Sequence, residues 1–157
     1  MKKQFIIFLF LTGILLLSGC SKNRKQASAD EILNADKAFS KLSEEKGMKQ
    51  AFLEFADDAV VILRKNSYPQ IGKAKMEDRF ATFSDTGFRL QWEPQFADAA
   101  CSGELGYSYG IYTMLVTDSV GDHIIEQGTY VSVWKKDNDG HWKYVLDTGN
   151  EGLGEQE

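Results

Sequence analysis

The segment from Asp30 to Gly47 carries apolar residues at the spacing of an amphipathic helix. These residues recur every three or four positions, with charged residues between them: Ile32, Ala35, Ala38, Phe39 and Leu42. This spacing places them on one helical face, which can pack against a core. Ser28, with Glu31 three residues later, fits a capping box, so we expect the helix to begin there and to end at Gly47.

Two shorter helical patterns follow, with a strand pattern between them. Residues 48–55 and 74–83 carry apolar side chains at helical spacing and predict a second and a third helix. Between them, the β-branched apolar run 59–63 predicts a buried strand, and residues 64–72 predict a loop.

From Phe88 onward the spacing changes from helical to alternating, which is typical of strands. The predicted strands are 88–92, 96–101, 105–117, 123–136 and 142–146. The sequence Asp-Asn-Asp-Gly at 137–140 predicts a hairpin turn, Pro94 predicts a bend or a sheet edge, and the polar residues from Gly149 predict a loose tail. Helices followed by a curved antiparallel sheet make an α+β fold.

The first residues of the chain have the pattern of an export signal. A basic start precedes the apolar run Phe5–Leu17, which is shorter than the about 20 residues that span a bilayer. The run ends in Leu-Ser-Gly-Cys at 17–20, which resembles a lipobox, the motif that directs lipidation of a cysteine and cleavage before it. We expect residues 1–19 to be a lipoprotein signal peptide and Cys20 to be lipidated. The alternative is an ordinary signal peptide with an incidental cysteine.

Lipidation at Cys20 predicts where the protein resides. Its acyl chains would anchor the protein to a lipid bilayer of the bacterial cell envelope, and the sequence leaves the choice between inner and outer membrane open. Residues 20–29 are polar and predict a flexible tether, residues 30–150 form the predicted domain, and residues 151–157 form the loose tail. Cys101 would be the remaining thiol after cleavage, and we expect it to be buried.

The composition is that of one globular domain and narrows the choice of partners. The chain has 157 residues, of which 43% are hydrophobic, and a net charge of −5. An acidic chain lacks the basic face that nucleic acids require, so we expect no nucleic-acid partner. His123 and His141 have no cysteine or acidic partner at ligand spacing, so we expect no metal site. The glycines at 103–110 do not open a helix after a strand, so we expect no phosphate loop and no cofactor.

Several segments of the predicted domain resemble one superfamily. Phe55–Val61, which reads Phe-Ala-Asp-Asp-Ala-Val-Val, is similar to the nuclear transport factor 2-like superfamily, and Gly103–Tyr107, Gly128–Lys136 and Asp139–Lys143 are similar to its SnoaL-like branch. The resemblance covers residues 30–150. It implies a cone, in which a strongly bent antiparallel sheet wraps around N-terminal helices and leaves a cavity at its wide end. Members include isomerases, cyclases, dehydratases and modules without catalysis, so the fold does not decide the activity.

The ketosteroid isomerases of this superfamily permit a comparison residue by residue. They use a carboxylate base, with a tyrosine and a protonated aspartic acid as oxyanion donors. Aligned without gaps, the base position falls on Leu63, the tyrosine on Phe39 and the acid near Ser132. Leucine cannot abstract a proton, and phenylalanine cannot donate to an oxyanion. The comparison disfavours isomerase chemistry and leaves open whether the protein is an enzyme.

Asp147, near the end of the last predicted strand, is the best candidate for a catalytic residue. Burial against a cavity would raise its pKa and suit it to act as an acid or base; the alternative is a solvated or ion-paired carboxylate. We place Trp92, Tyr109, Tyr130 and Trp134 beside it in a candidate pocket, because their apolar rings and polar tips suit a ring-containing ligand. The alternative for these four residues is core packing.

Three functions are compatible with the sequence. The leading hypothesis is a membrane-anchored lipoprotein on the periplasmic side, whose SnoaL-like domain binds a small hydrophobic or aromatic ligand. The second is a SnoaL-like enzyme of the isomerase, cyclase or dehydratase type, with Asp147 as general acid or base. The third is an interaction module that forms a homodimer through the open face of its sheet, which exposed aromatic residues on that face would favour.

Overall fold

The fold combines three helices with one six-stranded sheet. The computed structural model describes residues 2–155, and the side chains of residues 22–155. The elements, in chain order, are α1 (Lys2–Lys46), α2 (Met48–Phe55), β1 (Ala56–Leu63), β2 (Gln70–Ile71), α3 (Lys73–Thr82), β3 (Arg89–Ala99), β4 (Leu105–Thr117), β5 (Asp122–Lys136) and β6 (Trp142–Glu151). The predicted α+β class is confirmed.

The sheet is curled and unclosed, with strand order β2-β1-β6-β5-β4-β3. Four of its five strand pairs are antiparallel, but β1 and β6 run parallel. The sheet is therefore mixed, and the expectation of a wholly antiparallel sheet is wrong at this pair. The connection from β1 to β6 runs through β2, α3, β3, β4 and β5, which is long enough to return the chain in the same direction.

Helix α1 differs from the prediction at its start and agrees with it at its end. It ends before Gly47, whose φ of 89° breaks the helix. Ser28 does not cap α1, because the helix already includes it, and its hydroxyl donates instead to the Gly103 carbonyl at 3.1 Å. Residues 22–29 are helical rather than a flexible tether, and Lys25 forms an ion pair with Asp98 at 2.9 Å.

The predicted signal peptide, residues 1–19, and Cys20, the predicted lipidation site, lie outside the residues whose side chains are described. Within residues 22–155, no helix combines the length and the apolar character needed to cross a membrane.

The strand bounds follow the sequence pattern except near glycine and proline. Strand β4 has the predicted bounds, whereas the two strands predicted on either side of Pro94 form the single strand β3, with a register shift between Pro94 and Phe96. Strand β6 continues through Gly149 to Glu151, so the loose tail begins later than expected. Cys101 lies in an exposed turn after β3 and is not the buried thiol that was predicted.

Helix α1 packs along the edge strand β3 and bonds three of its outward backbone groups. The Ser40 hydroxyl donates to the Trp92 carbonyl at 2.7 Å and accepts the Trp92 N–H at 2.8 Å. One turn later, the Ser43 hydroxyl donates to the Leu90 carbonyl at 2.6 Å. Alternate residues of an edge strand turn their backbone groups away from the sheet, and these serines supply the partners that a further strand would otherwise provide.

An aromatic cluster fills the narrow end of the cone. The buried rings of Phe39, Trp92, Trp134 and Tyr144 contact one another around Phe39, with centroids 4.5 Å apart for Phe39 and Trp92 and 5.2 Å for Phe39 and Tyr144. Edge-to-face and offset arrangements of this kind stabilise a core beyond simple burial. The cluster fixes α1 against the concave face of the sheet and closes one end of the interior.

Candidate functional site

A cavity of about 700 Å³ occupies the wider part of the interior. Its lining residues come from two helices, the loop after β1 and five strands of the sheet: Phe39, Met48, Phe52, Leu63, Arg64, Lys65, Leu90, Trp92, Tyr112, Met114, Glu126, Tyr130, Ser132, Asp147, Thr148, Gly149, Asn150 and Glu151. The lining passes from buried aromatic rings to exposed polar residues such as Lys65 and Glu151. A cavity of this size, mostly apolar with a few polar groups, has the proportions of a small-molecule site.

The alternation of β5 explains how the cavity is built. Every second residue, from Glu126 through Gly128, Tyr130 and Ser132 to Trp134, points to the concave face. Glu126 lies at the wide end, Tyr130 and Ser132 line the middle, and Trp134 is fully buried in the aromatic cluster. One strand therefore supplies the mouth, the wall and the closed end.

Three of the five predicted pocket residues come together in this cavity and two do not. Trp92, Tyr130 and Asp147 line it. Trp134 belongs to the core, where its indole N–H donates to Ser108 at 2.8 Å. Tyr109 is 44% exposed on the convex face, because its neighbours in β4, Ser108 and Gly110, occupy the concave positions.

Asp147 is buried and ion-paired. One carboxylate oxygen accepts a hydrogen bond from Arg64 at 2.9 Å, and the other accepts one from the Ser132 hydroxyl at 2.9 Å. Arg64 also donates to the Leu63 carbonyl at 2.9 Å, which fixes the guanidinium at the end of β1. This arrangement matches the alternative that Asp147 is an ion-paired carboxylate. Both of its oxygens already accept a hydrogen bond from another side chain of the protein.

A second buried carboxylate, Asp36, was not singled out in the sequence. It is fully buried on α1, where one oxygen accepts the Trp92 indole N–H at 2.7 Å and the other accepts the Tyr130 hydroxyl at 2.7 Å. Burial raises the pKa of Asp36, against the hydrogen bonds from Ser108, Trp92 and Tyr130, which lower it. Burial and the adjacent Asp36 carboxylate in turn raise the pKa of Tyr130, so the phenol stays protonated and donates to Asp36.

The helical spacing already carried a signal for Asp36. It lies four residues after Ile32 and three before Phe39, on the apolar face of α1. A carboxylate in that position needs buried donors, and the nearest sequence candidates are the aromatic N–H and O–H groups of the sheet.

Tyr112 and Glu126 form a further polar pair in the cavity wall. The Tyr112 hydroxyl donates to the Glu126 carboxylate at 2.6 Å, and burial followed by this interaction raises the pKa of Tyr112. The Tyr112 ring lies across β5 and β6 because Gly128 and Gly149 stand beneath it; a Cβ at those positions would lie 2.7 Å and 3.4 Å from the ring carbon Cε1. Glu126 lies four residues before Tyr130 on the same strand, and because every second residue shares a face, this spacing could have placed Glu126 on the face of Tyr130.

The three positions compared with ketosteroid isomerases all line the cavity. Phe39 closes its inner end, Leu63 lies where β1 leaves the sheet, and Ser132 donates to Asp147. Leucine and phenylalanine supply apolar wall at the positions where that chemistry needs a base and a donor.

Acidic residues do lie beside both histidines, contrary to the sequence expectation. Nε2 of His123 is 3.1 Å from Asp118, and His141 belongs to a close cluster with Asp137 and Asp139 in the hairpin turn. The Asp137 carboxylate there accepts the backbone N–H groups of Asp139 and His141 at 3.0 and 2.8 Å. These hydrogen bonds are those of a side chain that stabilises a tight turn.

The convex face of the sheet carries a group of exposed aromatic residues. Phe96, Tyr107 and Tyr109 are each 40–45% exposed, and the ring centroid of Phe96 lies 5.6 Å from that of Tyr109 and 6.3 Å from that of Tyr107. They extend across β3 and β4, on the face opposite the cavity.

The fold is shared with solved structures at low sequence identity. A protein from Catenulispora acidiphila in complex with S-DNPA is 11% identical with a TM-score of 0.62, covering 78% of this chain and 91% of that one. An NTF2-like protein with a cystatin-like fold from Novosphingobium aromaticivorans is 12% identical with a TM-score of 0.63, covering 76% and 79%. The S. rosetta CaMKII hub is 16% identical with a TM-score of 0.61, covering 79% and 96%. No family model and no curated protein match the sequence. The chain therefore has the cone fold of the nuclear transport factor 2-like proteins.

Proposed function

We propose that the protein binds a small hydrophobic or aromatic ligand in the cavity of its cone, as a SnoaL-like binding domain. The observation that carries this proposal is the cavity of about 700 Å³ with Phe39, Trp92 and Tyr130 in its wall. Aromatic rings give an apolar ligand a large contact area, and the few polar groups can fix its orientation. A structural neighbour solved in complex with S-DNPA offers a precedent for a ligand complex in this fold.

The test is binding of the apolar fluorescent dye N-phenyl-1-naphthylamine. We expect its fluorescence to rise on binding, and Leu63→Trp to reduce the affinity at least about tenfold, because the larger side chain fills the cavity. The matched control is Ile71→Trp, which adds the same ring at a site that is 57% exposed and outside the cavity. Thermal melting checks that both variants fold. Absence of binding to the unaltered protein, or equal binding by both variants, would refute the proposal.

Catalysis by Asp147 is the alternative for the same cavity. A general acid or base must exchange a proton with the substrate, whereas this carboxylate already bonds Arg64 and Ser132. The geometry therefore favours binding. The variant Asp147→Asn separates the two functions. In both cases it keeps most of its affinity for the dye, but an enzyme also loses turnover of its substrate.

We further propose that the protein is a lipoprotein of the bacterial envelope, anchored through acylated Cys20. The support is the lipobox-like sequence directly after the apolar run. Several acyl chains, each contributing about 0.8 kcal/mol per buried methylene, hold a protein stably on a membrane. Cys20→Ser should move the protein from the membrane to the soluble fraction, and retention of acylated protein on the membrane would refute the anchor.

Self-association is a second candidate function, favoured by the exposed aromatic residues of the convex face. Two copies of this chain that meet there would bury Phe96, Tyr107 and Tyr109, which otherwise face water. Sedimentation velocity should then show a dimer that Tyr109→Lys dissociates. The control Tyr68→Lys changes an exposed tyrosine of the loop before β2. A monomer at all concentrations would exclude this function and leave ligand binding unaffected.

A further inference from the structure

We propose that the ligand of this cavity carries a protonated amine next to its aromatic or apolar body, and that Glu126 is the residue that selects it. The inference rests on the proposed ligand-binding function and names the chemical class of the ligand. Three features of the cavity carry it: an unpaired carboxylate, three hydroxyl groups whose protons are already donated to carboxylates, and aromatic faces.

Glu126 is the carboxylate of the cavity wall that forms no ion pair. Asp147 is paired with Arg64 at 2.9 Å and Glu151 with Lys65 at 2.8 Å. Glu126 is half-buried and accepts the Tyr112 hydroxyl, and among residues 22–155 no cation forms an ion pair with it. The Lys65 ammonium acts on Glu126 only at longer range and forms its ion pair with Glu151. A partly buried carboxylate without a cation is stabilised by one that the ligand supplies.

Three hydroxyl groups of the wall donate their protons to carboxylates of the protein. The Tyr130 proton goes to Asp36, the Tyr112 proton to Glu126 and the Ser132 proton to Asp147. A hydroxyl has a single proton to donate, so toward the cavity each of these oxygens offers lone pairs. A ligand group that donates several hydrogen bonds, such as an ammonium group, complements such a wall, and a carboxylate does not.

The aromatic rings of the wall and the ion pair of Arg64 also favour a cationic ligand over an anionic one. Trp92, Tyr112 and Tyr130 line the cavity, and the faces of such rings attract cations. Arg64 is a cation in the lining, but its guanidinium donates to the Asp147 carboxylate and to the Leu63 carbonyl. The positive charge is neutralised by Asp147, which removes the main attraction for an anionic ligand.

The experiment compares three indoles that differ in charge, as competitors of N-phenyl-1-naphthylamine bound to the full chain. Tryptamine is cationic, 3-ethylindole is neutral and indole-3-acetate is anionic. We expect tryptamine to displace the dye at about tenfold lower concentration than 3-ethylindole, and indole-3-acetate to be the weakest. The preference should weaken at high salt, because Glu126 is only partly buried.

Glu126→Gln is the decisive variant, because its amide oxygen can still accept the Tyr112 hydroxyl and the fold is preserved. We expect it to bind 3-ethylindole like the unaltered protein and to lose the preference for tryptamine. Glu77→Gln removes the same charge from the exposed surface of α3 and should keep the preference. A preference that survives in Glu126→Gln, or that is missing in the unaltered protein while the dye binds, overturns the inference alone. A failure of the dye to bind the unaltered protein overturns the proposed function as well.

Discussion

Replacing Ser40 by alanine tests whether α1 acts as the partner of the edge strand β3. Ser40 is 4% exposed, and its hydroxyl bonds both the N–H and the carbonyl of Trp92. In Ser40→Ala both backbone groups keep their buried position and lose their partner. Water reaches neither group without separating the helix from the strand.

The magnitude follows from the two groups that lose their partner. Each buried, unpaired backbone group costs roughly 1–3 kcal/mol. The better helix propensity of alanine returns about 0.5 kcal/mol. The free energy of unfolding should therefore fall by roughly 2–5 kcal/mol, a large share of the about 5–15 kcal/mol that domains possess.

Urea denaturation followed by circular dichroism measures this change, with two controls. Ser43→Ala removes the partner of one group, the Leu90 carbonyl, so it should cost about half as much. Ser67→Ala alters an exposed loop serine and should stay within about 0.5 kcal/mol. The account of the helix as a strand partner fails if Ser40→Ala costs less than about 0.5 kcal/mol, or no more than Ser43→Ala.

Three further predictions concern the site. Gly128→Ala adds a Cβ that overlaps the Asn150 carbonyl oxygen of β6, so it should lower the melting temperature strongly; an unchanged melting temperature would contradict the packing described. Arg64→Gln leaves buried Asp147 without its cation and should cost about 1–3 kcal/mol in urea denaturation, because Arg64 is itself partly exposed. The control Lys65→Gln, from an exposed pair, should lower the free energy of unfolding less than Arg64→Gln does. The pKa of Asp36 is higher in the folded than in the unfolded state, so its contribution to stability is present below its ordinary pKa and is lost as the pH rises through the raised value. The free energy of unfolding of the unaltered protein minus that of Asp36→Asn should therefore become more positive as the pH falls toward 4. A decrease of this quantity would refute the raised pKa.

Most of the secondary structure of the chain could be predicted from its sequence. Strand β4 has the predicted bounds, α2 spans the apolar residues that predicted it, and Gly47 ends α1 as expected. These elements are specified by local spacing and by residues with a fixed backbone preference. Strand β6 was predicted too short, because glycine is common in turns and Gly149 was therefore assigned to the tail. Its contact with the Tyr112 ring is long-range and leaves no local signal in the sequence.

Long-range pairing and the polar interior were harder to predict. The parallel register of β1 against β6 follows from the return of the chain after the whole β3–β5 meander, which no local pattern records. Trp134 and Tyr109 are aromatic residues with a polar tip, like Tyr130. Trp134, however, lies deeper in the core along β5, and Tyr109 lies on the opposite face of the sheet. The partners of Asp36 come from β3 and β5, so its role became visible only with the helix laid on the sheet.

The way the sheet ends at its two sides restricts how this protein can aggregate. On one side α1 packs along β3, where its serines bond the N–H and carbonyl of Trp92 and the carbonyl of Leu90, and on the other side β2 has only two residues. Neither side offers the long row of free N–H and carbonyl groups on which a foreign strand could template itself. Growth into cross-β fibres would first require α1 to detach, so the same serine contacts that anchor the helix also protect the folded protein against amyloid-like association.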